Sequence, residues 1–559
     1  MYSESLGGAG RGNSFGMRLI CLVVICLAVL AAGFAITDLP YGRAIWDFLF
    51  ILDGAYRISL GQVPHLDFTS PVGSLSLYLT AVATRLFPGG NAFVGLHALA
   101  WLLVMVPFAV ISPRFRSAPA FYAALALLAV IMLIPITVDD TILSEISYFA
   151  TYNRFATGFL FVSGLWLVLP KGRHDWLLVA YLLVVLFFLK ITAAVVLLGV
   201  VAAAVVLGRW RLGRALAALA VFFIALAVVE LLSGGMVGGY IRDIRAMSRV
   251  NAGGALHGLF YASYRNWTTL LTAAILVLGI LGARLSFERS SLKGLRNVVA
   301  SIWQDETFAL DAALLIAAAL LAESQNSGGL GLIAASALFF HPGAWRGGAA
   351  RIALVSFLLA AMILPVISTA FDRILTVSIR QTRETVRNEV DELFPGTTVT
   401  GPTVAAARLF KRINTEWPDF ARQLEADGFT LERDPGSNAP GGMLAWITSA
   451  VDAGHIFKEK NYGARSQRYA TLAFVDPFAR MLKLTPALDT TIVMDIGRTF
   501  PLVTAQEAGA YLATADGVFV SRCERRTLAN NDAAFQAVFE REFERLPLNE
   551  CWEFYRRKS

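Results

Sequence analysis

Apolar residues come in long blocks over the first two thirds of the chain, separated by short charged loops. About 20 apolar residues in a helix match the thickness of a bilayer, at 1.5 Å of rise per residue. The blocks predict about eleven membrane-spanning helices: 19–36, 92–111, 120–138, 155–169, two within 176–207 broken near Lys190, 215–232, 267–281, 308–322, 330–340 and 352–370. Val72 to Phe87 is shorter and ends in RLFPGG. It is expected to dip into the interface, because only then do the later basic loops share one side. After Phe371 the blocks stop. Residues 372–559 mix charged and apolar positions, with strand-like alternation in TTIVMDI and DGVFVSR and helices expected over 373–393, 405–428 and 531–546. The fold class is therefore a polytopic α-helical membrane protein, 19–371, followed by a small α+β domain, 372–559. Residues 1–18 are Gly- and Ser-rich and expected to be disordered.

Composition agrees with this reading. Hydrophobic residues make up 56% and charged residues 16%, where a soluble chain carries roughly a quarter charged. The net charge of +7 is concentrated in loops such as SPRFRSAP, KGRHD, RWRLGR and HPGAWRGGAAR. Basic loops stay in the cytoplasm. Arg11 and Arg18 place the N-terminus there too, so the loop 38–91 and the C-terminal domain are expected outside, in the periplasm if the membrane is a bacterial inner membrane. The charge thus reads as topology. No zinc-finger spacing or basic reading helix points to nucleic acid. The first apolar run is longer than a signal-peptide core and is read as retained. Cys21 and Cys26 lie inside it. Cys523 and Cys551 fall in the C-terminal domain, where a disulfide and two free thiols are both compatible with the sequence.

The polar residues beside the membrane are the candidates for chemistry. The stretch Trp46 to Gly73 holds Asp47, Asp53, Arg57, His65 and Asp67. A carboxylate at this depth is costly unless paired or functional. It can act as a general base on an acceptor hydroxyl or cap a juxtamembrane helix. Asp139 and Asp140 lie in the second outer loop, which by its residues alone reads as an ordinary solvated loop. Asn153 and Arg154 open the next helix, and the arginine can hold a phosphate or anchor the helix at the interface. Lys190 stands about 22 Å along its helix, near the outer face, at the level of a lipid phosphate. Arg242, Arg245 and Arg249 follow i, i+3, i+7 spacing and share one helix face, suited to an anionic phosphate or to lipid head groups. Gln325 and Asn326 form a polar turn that can meet sugar hydroxyls. No P-loop, dinucleotide glycine pattern or metal-spaced Cys/His cluster occurs.

The order Asp47, then a Tyr-bearing helix, then GQVPHLDF, then an apolar run resembles the GT-C superfamily of membrane glycosyltransferases. It is most similar to the clan of protein O-mannosyltransferases and aminoarabinose transferases. Their first outer loop starts with an Asp-Glu pair and continues to Gly-x-x-Pro-Tyr-x-Asp-Phe. Here Asp47 takes the place of the Asp and Phe48 that of the Glu, while Gly61, Pro64, Asp67 and Phe68 match the later segment and His65 replaces the Tyr. The resemblance covers about 45–90 clearly, extends through the loop pattern to 370, and does not reach 372–559. It implies transfer of a sugar from a polyprenyl-phosphate donor to an envelope glycan, lipid or protein acceptor, with Asp47 as general base, Lys190, Arg154, Arg242 and Arg245 on the donor phosphate, and Asp139 or Asp140 helping to bind the acceptor or a divalent cation such as Mg or Mn. A lipid-linked glycan transporter and a non-catalytic envelope-assembly protein are the alternative classes.

Overall fold

The computed structural model describes residues 8–42, 44–135, 146–251, 254–290, 307–325, 330, 332–346, 348–381, 385–387, 390–417, 419–420, 423, 440–464, 466–524 and 532–558. The helices follow the apolar blocks. They are α1 (Gly8–Ala35), α2 (Ile45–Ser59), α3 (Leu75–Leu86), α4 (Ala92–Ile111), α5 (Ala118–Leu133), α6 (Thr151–Val168), α7 (Asp175–Leu189), α8 (Ile191–Val206), α9 (Leu212–Ser233), α10 (Met236–Val250), α11 (Gly254–Arg265), α12 (Trp267–Ser290), α13 (Thr307–Ser324) and α14 (Ala349–Gln381). Five stretches are long and apolar enough to cross a membrane: Gly16–Ala35, Ala92–Arg114, Leu212–Ser233, Thr307–Ser324 and Ala349–Thr376. A sixth is added if Leu256–Arg265 and Trp267–Leu281, bent by 82°, count as one span. Helices α3, α5, α7 and α8 are apolar but shorter.

Local chemistry sets the boundaries. The Asn91 side chain accepts the Phe93 N–H and starts α4, and Ser117 caps α5 in the same way through Ala120. Helix α6 ends where Lys171 Nζ donates to the carbonyls of Trp166 and Leu167, neutralising orphan acceptors. At Lys190 the backbone turns extended (φ −159°), and α7 gives way to α8. The two helices run in opposite directions, since Trp166 contacts both Asp175 at the start of α7 and Trp210 after α8. Leu330 to Phe340, expected as a helix of its own, instead ends in a 3₁₀ helix of eight residues, Ile333–Phe340. Small side chains let it press against α6: a Cβ added at Gly164 would stand 2.7 Å from the Ala337 Cβ. The expected break after 371 is absent too, because α14 continues unbroken to Gln381.

The charged loops gather at one end of the bundle. Arg114 pairs with Asp175 at 2.5 Å, Arg209 pairs with Asp311, and His341 lies 3.3 Å from the same Asp311. Arg18 donates to the carbonyls of Ser112 and Phe115. The stretch 38–73 and the C-terminal region occupy the opposite end. Helix α3 has both of its ends there: Gly73 packs on the Phe188 carbonyl at the end of α7, and Phe87 packs on Phe34 at the end of α1.

The C-terminal region is α+β. Strands β1 (Leu39–Pro40) and β2 (Phe68–Thr69) of the first loop pair with it. Its own strands are β3 (Thr385–Arg387), β4 (Thr397–Thr400), β5 (Arg468–Leu472), β6 (Thr485–Pro486), β7 (Thr490–Thr491), β8 (Gly517–Ser521), β9 (Phe543–Pro547) and β10 (Trp552–Arg557). The main sheet has the order β6-β5-β8-β10-β9. The segment DGVFVSR forms a strand, as its alternation predicts, but β8 is buried at every position rather than on one face, because it lies between β5 and β10. The last helix stops at Glu542, before the expected 546, because Phe543–Pro547 pairs with β10. TTIVMDI contributes only the two-residue β7. The sheet packs on a helix, Pro440–Glu459, through Trp446, Phe457, Phe519, Trp552 and Phe554. A disulfide joins Cys523 to Cys551 across 28 residues. Cys551→Ser is expected to destabilise this region by about 3–4 kcal/mol, since the open chain gains loop entropy. Thermal unfolding with and without reductant checks this: the variant should match the reduced wild type.

Candidate functional site

The first loop and the C-terminal region are stitched together. Strand β1 runs parallel to β4, and β2 runs parallel to β7. The Asp489 N–H donates to the Asp67 carbonyl, the Ile492 N–H to the Thr69 carbonyl, and Gln62 Nε2 to the Pro486 carbonyl. Between this assembly and the helix ends lies a cavity of about 880 Å³. Trp46, Asp47 and Phe50 of α2 form one wall, with Phe149 and Tyr152 beside them. Lys190, Ile191 and Thr192 line the helix break. Tyr240, Ile244, Met247 and Ser248 come from α10, and Ser324 and Gln325 from the end of α13. Phe474, Asp495, Arg498 and Thr499 close it from the C-terminal region.

Asp47 is the most buried ionisable group on this wall, 9% exposed. It lies in the first turn of α2, and its Oδ2 accepts the Ala150 N–H at 2.6 Å. Ala150 is the N-cap of α6, so the carboxylate faces the positive end of a second helix dipole. Burial outweighs these favourable contacts and pushes the carboxyl up to about 7; the Ala150 N–H and Arg498 pull it down, and Asp495 adds to the rise. The result is a carboxyl poised between its two protonation states near neutral pH. Phe48, one position on, turns into an aromatic cluster with Phe93 (5.0 Å) and Tyr148 (6.1 Å) and carries no polar chemistry.

Lys190 lines the same cavity as Asp47. It also lines a side recess of about 20 Å³, room for one water molecule. Asn153, Thr192 and Glu323 share that recess. Both amide atoms of Asn153 and the Thr192 hydroxyl are buried without a hydrogen-bond partner among the described residues. Such groups are costly unless a water or a ligand satisfies them.

The other expected ligand residues divide. Gln325 lines the cavity. Asp53 and Arg57 do not: they form a buried ion pair at 2.9 Å, and Arg57 Nη1 donates to Thr490 Oγ1 and the Ala487 carbonyl. They dock the loop on the C-terminal region. His65 is buried in a left-handed conformation (φ 66°), with Nδ1 2.7 Å from Asp243 and its ring against Tyr240. It fixes the loop to α10. A Cβ added at Gly239 would lie 2.2 Å from the His65 carbonyl, so Gly239→Ala is expected to lower stability by about 1–3 kcal/mol, read as a drop in Tm. Asp67 accepts its own loop's Val63 N–H. Arg154 donates to the Ile134 carbonyl and meets His97 Nε2 at 2.7 Å, away from the cavity. Arg242 and Arg245 are exposed on the face of α10 roughly opposite Tyr240, Ile244 and Met247; packing put the apolar face inward. Neither arginine is among the described residues that line the cavity. Asp139, Asp140 and Asn326 lie outside the described residues.

The sequence pattern did not reveal Tyr240, Thr192, Asp495 or Arg498. Tyr240 is readable in hindsight as the apolar side of α10. Asp495 and Arg498 carry no local signal, being more than 440 positions from Asp47. Among the described residues, no three His, Cys, Asp or Glu side chains are grouped closely enough to hold a metal. Comparison with protein-family models, with characterised proteins and with solved structures finds no match to this chain.

Proposed function

We propose that the chain is an inverting membrane glycosyltransferase that takes a sugar from a polyprenyl-phosphate donor and passes it to an acceptor hydroxyl in the Asp47 cavity. The observation that carries this reading is the place of Asp47: a buried carboxyl on the wall of a cavity formed between apolar helices and the C-terminal region, with Lys190 on the same cavity. Asp47 takes the proton of the acceptor hydroxyl as that oxygen bonds to the anomeric carbon. The bond from that carbon to the phosphate oxygen breaks, and polyprenyl phosphate leaves with the electron pair. Lys190 stabilises the charge on the leaving phosphate. The lipid tail follows the apolar surface between helices. In this proposal the chain crosses a bacterial inner membrane about eleven times, and the C-terminal domain is periplasmic.

The test is release of free polyprenyl phosphate from a panel of polyprenyl-phosphate sugars by the protein in nanodiscs. Release by wild type and not by Asp47→Asn supports the proposal; no release with any donor and acceptor pair counts against it. For topology, an alkaline phosphatase fusion after Gln381, where α14 ends, is expected to be active. An inactive enzyme at normal expression would overturn the outer placement of the C-terminal domain.

A further inference from the structure

Of the cations that the sequence pattern suggests for the phosphate, Lys190 lines the cavity and Arg154, Arg242 and Arg245 do not. Arg154 is spent on the Ile134 carbonyl and His97, and the arginine face of α10 turns outward. Among the described lining residues the cations are Lys190, at the helix break, and Arg498, on the C-terminal wall.

Arg498 sits on a tight turn whose shape does not depend on its side chain. The Asp495 carbonyl accepts the N–H groups of Arg498, Thr499 and Phe500. Gly497 takes the left-handed conformation (φ 84°) that closes the turn. The flanking strand β7 is locked to the first loop, and the Thr491 N–H donates to the Tyr511 hydroxyl. The turn is thereby held at a fixed place opposite Asp47. Among the described residues the guanidinium makes one hydrogen bond, Nη1 to Asp495 Oδ2 at 3.1 Å, and the side chain is 66% exposed. An ion pair this open to solvent contributes little to folding. The other guanidinium N–H groups make no hydrogen bond among the described residues. A planar fork of donors, pre-aimed by a carboxylate on a rigid turn, suits two-point binding of an oxyanion.

We propose that Arg498 is an oxyanion-recognition residue, binding a phosphate or carboxylate group of a ligand from the C-terminal wall of the cavity while Asp495 holds the guanidinium in place. The oxyanion comes either from the lipid phosphate of the donor or from an acidic acceptor. The assignment rests on the cavity being a substrate site, as proposed above, and not on turnover.

The experiment uses the full chain in nanodiscs. Binding of inorganic pyrophosphate, glucuronate and a long-chain polyprenyl phosphate is measured for wild type, Arg498→Gln, Arg498→Lys and Lys190→Gln, each checked for unchanged thermal unfolding. Arg498→Gln is expected to weaken at least one probe tenfold or more, with Arg498→Lys between it and wild type, because a point charge replaces the fork. Weakened polyprenyl phosphate binding in both Arg498→Gln and Lys190→Gln identifies the lipid phosphate as the source. Loss of glucuronate in Arg498→Gln alone identifies an acidic acceptor. Binding of all three probes to Arg498→Gln at wild-type strength overturns the proposal, as does a wild type that binds none. Oxyanion binding through Arg498 without sugar transfer would leave this assignment standing and sink the transferase reading.

Discussion

Asp47→Asn is expected to lower sugar transfer by about 10²–10⁴-fold, the usual contribution of a positioned general base. The amide oxygen still accepts the Ala150 N–H, so the start of α6 keeps its anchor and Tm should move little. Asp47→Ala removes base and anchor together and should lose activity to the same degree with a lower Tm. The pH profile gives an independent reading. A base must be deprotonated to work, and burial places the Asp47 carboxyl at about 7. Wild-type kcat/KM should therefore fall about tenfold per pH unit below neutrality and level off above it. Full activity in both variants at normal expression, or a rate flat from pH 5 to 8, would remove Asp47 from the chemistry.

Arg57→Met should produce the largest structural defect. Arg57 and Asp53 are 1% and 2% exposed, and Arg57 bridges α2 to Thr490 and Ala487. Removing the cation leaves Asp53 buried without its partner, which costs about 3–5 kcal/mol. Because these contacts join the first loop to the C-terminal region, the region should loosen from the bundle and be released by limited proteolysis under conditions where wild type is resistant. Replacing both residues, Asp53→Leu with Arg57→Met, should recover much of the stability, since no charge is then stranded. If Arg57→Met resists protease and heat as wild type does, the pair is not the clamp described. The experiment also separates docking from catalysis: a defect in Arg57→Met that the double replacement relieves cannot come from a lost ligand contact.

The corrections share one cause. Spacing shows that Arg242, Arg245 and Arg249 share a helix face, and they do; spacing does not say which way the face looks. On α10 the apolar side carries Tyr240, Ile244 and Met247, and burying it turns the arginines outward. Asp53 and Arg57 stand four apart on one helix, a spacing that favours pairing with each other over a ligand. Arg154 opens a helix, as read, but its partners are His97 on α4 and the Ile134 carbonyl just past the end of α5.

By itself the sequence determined the apolar helices, the break at Lys190 and the α+β character of the C-terminal region. These follow from periodicity and burial, which are local and repeat along the chain. It also singled out Asp47, because a carboxylate beside an apolar wall is conspicuous wherever the chain goes next. Only the tertiary structure decided what Asp47 faces. The Asp495–Arg498 turn reaches it through parallel pairings between 68–69 and 490–491, and contacts made over that separation leave no pattern in any short window of sequence.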